Sequence, residues 1–166
     1  DIGYSESTIG LVTAALLAGQ LAMFAILRTR SGWRYRVWPM TVSLVTGALG
    51  YLLAYVSGSP GAFAASFALS GFGAGVTYLA SLYYSLEGGA DSKGGRAGIH
   101  EAVLGSGLFL GPLMGGLVGQ ALDLRAPYLA TVLVFVVTAA VLHLVSHSMK
   151  RGEIAAPRAP LEVVGK

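Results

Sequence analysis

Glu101 stands next to His100 inside a long apolar stretch, and a carboxylate beside an imidazole can hold a proton and pass it on. Ionisable residues are costly inside a membrane and tend to mark proton relays or substrate paths, so Glu101, His100 and His143 are candidates for proton coupling or gating. A second reading places Glu101 near a helix N-terminus, where free N–H groups and the macrodipole favour an anion. In that reading Glu101 pairs with Arg96 or a loop arginine as a latch. Gln20, in the middle of another apolar run, can offer hydrogen bonds to a solute. Thr13 lies seven residues before it on the same helical stripe, and Tyr78 shares a stripe with Gly71 and Gly75. The alternative for Gln20 is an interhelical hydrogen bond worth about 1 kcal/mol or less. Other chemistries find no support. No G-x-x-x-x-G-K-[ST] phosphate loop occurs, and there are no cysteines to ligate metal or form disulfides. His100-Glu101 lacks the spacing of a zinc helix, and no specific Ser/His/acid set can be assembled. Neither an enzyme, a cofactor nor a metal is expected.

The elements that must carry these residues are five apolar runs, at about 8–27, 37–56, 62–86, 97–122 and 128–147. Each is near the 20 or so residues that an α-helix needs to cross about 30 Å of hydrocarbon. Only 11% of residues are charged and 54% are hydrophobic, against roughly 25% and 45–50% in soluble domains. The expected fold is all-α and polytopic, five transmembrane helices in a bundle over 1–147, with a disordered tail at 148–166. Of the eleven lysines and arginines, all but Arg125 fall in the first loop, the third loop or the tail. Those segments share one side, which the positive-inside rule makes cytoplasmic. The N-terminus is then outside, the C-terminus inside, and the basic balance is a topology signal with no nucleic acid implied. Trp33, Tyr35 and Trp38 supply interfacial aromatics, as do Tyr83 and Tyr84. Loops this short predict that consecutive spans are antiparallel neighbours. The loop at 87–96, rich in glycine, is expected to be flexible. Five spans, an outside N-terminus and no initiator Met read as a fragment.

The fourth run contains Gly107-Leu-Phe-Leu-Gly111-Pro112-Leu-Met-Gly115-Gly116, then Gly119. Glycines at every fourth position form a bare stripe that lets another helix approach closely, and Pro112 removes a backbone donor and can kink the helix. This series resembles the G-x-x-x-G-P-x-x-G-G signature of the fifth span of major facilitator superfamily transporters, a related form of which recurs in the eleventh. Leu69-Ser-Gly-Phe-Gly-Ala-Gly75 and Gly95-Arg-Ala-Gly98 are similar to that family's span-loop-span arrangement, and all five spans match in orientation.

The resemblance implies transport of a small solute by alternating access in a lipid bilayer, in a bacterial inner (plasma) membrane. Two placements fit, spans two to six or eight to twelve. The basic loop with Arg28, Arg30, Arg34 and Arg36 lacks the acidic residue of the pattern typical after the second span. Phe67 stands where an N-terminal half usually carries an arginine. Both departures favour spans eight to twelve, which makes the missing N-terminal half a partner and the basic loop a cytoplasmic gate element. The alternative from a different class is a five-span scaffold or assembly protein that binds a partner helix through its glycine face.

Overall fold

A computed structural model describes residues 5–87 and 93–155, with side chains through Ser148. Five helices follow one another: α1 (Glu6–Thr29), α2 (Trp38–Val56), α3 (Pro60–Leu86), α4 (Lys93–Ala121) and α5 (Ala126–Ala155). All five contain windows long and apolar enough to cross a membrane. Their starts are written locally. The Ser5 and Ser59 hydroxyls accept from the Thr8 and Ala62 N–H groups, each at 3.3 Å, satisfying donors that the first turn leaves free. Pro39 and Pro60 sit in first turns, where a missing N–H is harmless. Before α5, Asp123 Oδ1 accepts from the N–H groups of Arg125 (2.7 Å) and Ala126 (3.0 Å).

α3 is the hub. It packs against α1, α2 and α4, and α5 closes the arrangement against α2 and α4. The expectation that every pair of consecutive spans is adjacent fails at the first pair: α1 and α2 do not touch. The reason lies in the glycines of α3. Residues two apart on a helix point about 200° apart, so Gly71 and Gly75 face one way and Gly73 the other. A Cβ on Gly71 would collide with the Leu16 carbonyl of α1, and one on Gly75 would lie 2.9 Å from the Gln20 carbonyl oxygen. A Cβ on Gly73 would lie 2.7 Å from the Ser43 carbonyl oxygen of α2. Each partner contributes a glycine in return, Gly19 of α1 against the Ala68 carbonyl and Gly50 of α2 against Ser66 and Ser70. Small residues allow this close approach where no hydrophobic effect drives helices together. Ser43 Oγ donates to the Gly73 carbonyl at 2.6 Å and also meets the Thr77 hydroxyl.

The apolar residues that remain exposed, among them Leu108 (78%), Phe109 (72%) and Leu133 (63%), would be untenable in water but suit lipid. At the end opposite the basic loop, Tyr51, Phe63, Phe67, Tyr128 and Phe135 form one aromatic cluster joining α2, α3 and α5. Phe67 is part of that packing.

Two boundaries move. α4 begins at Lys93, four residues before the expected start, so its first turn takes up part of the expected flexible loop; 88–92 lie outside the described residues. α5 continues to Ala155, past the expected end at 147, because Met149, Lys150, Arg151 and Glu153 are good helix formers. The rest of the expected tail, 156–166, lies outside the described residues.

Candidate functional site

A cleft of about 570 Å³ opens over α3 between α1 and α4. Its wall includes Gln20 from α1, Thr77, Tyr78 and Ser81 from α3, Glu101 and Gly105 from α4, and Phe135 from α5. Gln20 is nine residues before the end of α1, Tyr78 eight before the end of α3, and Glu101 eight after the start of α4. At about 1.5 Å per residue all three sit roughly 12–14 Å along their helices from the ends that adjoin the basic side. Three of the polar residues singled out from the sequence therefore meet at one depth in one cleft.

Two of the wall residues, Ser81 and Glu101, are joined through His100, which does not itself line the cleft. Ser81 Oγ lies 2.9 Å from His100 Nε2, and His100 Nδ1 lies 3.3 Å from Glu101 Oε1. Ser81 Oγ is also 3.0 Å from the Tyr78 carbonyl, and the Tyr78 ring meets the imidazole edge-on at 5.8 Å between centroids. The His100 side chain is 7% exposed, while that of Glu101 is 62% exposed. This is the sole ion-pair contact among the described residues.

Hydrogen-bond capacity limits what the chain can hold. When the Ser81 proton points to the Tyr78 carbonyl, Ser81 accepts from Nε2–H, and the contact between Nδ1 and Oε1 then needs one further proton. That proton makes either an imidazolium facing a carboxylate or a neutral imidazole facing a carboxylic acid. When the hydroxyl turns and donates to Nε2, Nδ1–H donates to the carboxylate and the extra proton is gone. The two hydrogen-bonding arrangements of the row differ by one proton.

The depth of Glu101 also bears on the N-terminal reading. With α4 starting at Lys93, Glu101 is beyond the second turn, and the macrodipole effect falls off within the first. Arg96 donates to the Glu87 carbonyl at 2.5 Å and makes no ion pair with Glu101.

Other candidates lie elsewhere. Thr13 is exposed, its hydroxyl donating to the Ile9 carbonyl at 3.1 Å. His143 is exposed on α5 with its ring 4.7 Å from that of His147, and neither lines the cleft. Arg28, Arg30, Arg34 and Arg36 are exposed at the basic end, without an ion pair among the described residues. Within the glycine series, added Cβ atoms at Gly107, Gly111 and Gly116 would meet nothing within 4 Å. Those at Gly115 and Gly119 would touch only Pro127, at 3.9 and 3.5 Å. Pro112 is inside α4 and exposed. Sequence reasoning missed Thr77, Ser81 and Phe135. Ser81 and Tyr78 are three apart on α3, the one spacing signal that pointed to them.

A family model for the Major Facilitator Superfamily matches residues 1–165. The chain belongs to that superfamily, and so to an integral membrane protein that carries small solutes across the lipid bilayer. No curated protein and no solved structure matches it.

Proposed function

We propose that the cleft over α3 is the solute path of a secondary transporter, and that the His100–Glu101 pair couples transport to protons. The observation that carries this reading is the meeting of Gln20, Tyr78 and Glu101 at one depth, with Ser81 and Glu101 in the wall joined through the buried His100. Gln20 and Tyr78 hold the solute through hydrogen bonds and ring contact. Glu101 takes up and releases a proton as the cleft alternates between the two sides, the pattern of binding at mid-membrane between moving helix groups. No ATP is needed. The chain supplies spans eight to twelve, its basic end faces the cytoplasm of a bacterial inner membrane, and an N-terminal half completes the site. The open glycine face of α4 slides against that half, and the family membership favours this role over a partner-binding scaffold.

The test uses the full-length transporter in proteoliposomes loaded with a pH-sensitive dye and challenged with a panel of small solutes. A solute that drives proton movement in the wild type is expected to lose that coupling in Glu101→Gln while still equilibrating down its own gradient. Unchanged pH dependence in Glu101→Gln would remove the proton-coupling role.

A further inference from the structure

At the basic end, a second cavity of about 460 Å³ lies between the last turns of α1 and α3, beneath the α1–α2 loop. Its wall is apolar along Phe24, Leu79, Leu82 and Leu86, with Arg28 and Arg34 as the charged groups. The loop above it is held firmly. Buried Trp33 donates from Nε1 to the Leu27 carbonyl at 3.1 Å, Tyr35 N–H donates to the Tyr84 hydroxyl at 2.7 Å, and the Tyr35 hydroxyl meets Glu87. Tyr35 takes a left-handed φ of 57° to do this, a conformation that a bulky residue rarely adopts and that persists where its surroundings enforce it.

The Arg34 guanidinium sits 5.1 Å from the Tyr83 ring centroid and 6.0 Å from that of Trp33, which orients it without consuming its N–H donors. Neither Arg34 nor Arg28 has a carboxylate partner among the described residues. The carboxylate of Glu87 is engaged by the Tyr35 and Tyr83 hydroxyls.

Two unpaired guanidiniums at the level of the helix ends, over a greasy slot that runs down between two spans, have the chemistry of an acidic phospholipid in reverse. We propose that this cavity binds the phosphate of an anionic phospholipid through Arg28 and Arg34, with an acyl chain lying along Phe24, Leu79 and Leu82. Guanidinium forks match phosphate oxygens in pairs, and basic pockets between spans favour acidic headgroups. Arg30 and Arg36 carry the same charge in the same loop but do not line the cavity, so they separate a built site from general surface attraction.

Trp33 lines the cavity and reports on it. The experiment measures Trp33 fluorescence in full-length protein carrying Trp38→Phe, with tryptophans outside this segment replaced, in phosphatidylcholine nanodiscs. A small share of either phosphatidylglycerol or phosphatidylcholine with brominated acyl chains is then added. The expected result is quenching by phosphatidylglycerol at concentrations on the order of tenfold lower. The preference should be lost in Arg28→Gln/Arg34→Gln, kept in Arg30→Gln/Arg36→Gln, and insensitive to millimolar inorganic phosphate. Equal quenching by both lipids would overturn the proposal. So would a preference surviving Arg28→Gln/Arg34→Gln, equal loss in both double variants, or full competition by inorganic phosphate, which would mark a site for the free anion.

Discussion

α3 and α4 both carry spaced glycines, and the two helices use them differently. In α3 the glycines alternate between faces and are filled on both sides by the backbones of α1 and α2; in α4 they lie along one stripe that faces open space apart from Pro127. Glycine spacing declares that a close approach is allowed. Whether it is used depends on what the rest of the chain brings there, and for α4 the described residues bring only the start of α5.

Substitution separates the two sets. Gly71→Leu should have the largest effect, because its side chain would run into the Leu16 backbone, which cannot move aside like a flexible side chain. A loss of about 3 kcal/mol or more is expected, at the upper end of overpacking costs, seen as a steep drop in thermal stability in detergent or no folded protein. Gly111→Leu should stay within about 0.5 kcal/mol of wild type, as surface changes do, while slowing transport if that face slides. Equal destabilisation by both substitutions would show that a helix fills the α4 stripe and would erase the contrast. A smaller effect sharpens the picture of the basic end: Trp33→Phe keeps an aromatic side chain but loses the bond to the Leu27 carbonyl and part of the buried indole, and should cost about 1–2 kcal/mol. Ser43→Ala tests the polar contact between α2 and α3. Its expected cost is about 0.6 kcal/mol, read as a shift of a few degrees at most in the melting temperature.

The five helices were legible because an apolar run of about 20 residues has few other uses. Their neighbours were less so. The 30–37 loop can reach up to about 26 Å when extended, well beyond the 8–10 Å between packed helices, so nothing in its length prevented α3 from lying between α1 and α2. The alternation of Gly71, Gly73 and Gly75 held the answer, since opposite faces need two partners. At the candidate site, Glu101, His100, Gln20 and Tyr78 stood out as polar groups in apolar runs. Ser81 and Thr77 did not, since a serine or threonine in a membrane helix ordinarily satisfies itself on the carbonyl a turn earlier, as both also do here. Phe135 was one apolar residue among many on α5, and its place in the cleft wall depends on Gly47, which faces its ring with no side chain of its own.

The most direct test of the central claim is thiol accessibility, for which the cysteine-free chain is a clean background. Gly105 lines the cleft and has room for a side chain, whereas Val103, two residues away on α4, does not line it and is 67% exposed. In full-length protein with cysteines outside this segment removed, Gly105→Cys should react quickly with a membrane-impermeant thiol reagent and be shielded by transported solute, and Val103→Cys should react slowly. Equal reactivity at both positions, or a faster Val103→Cys, would contradict a solute path between α1, α3 and α4.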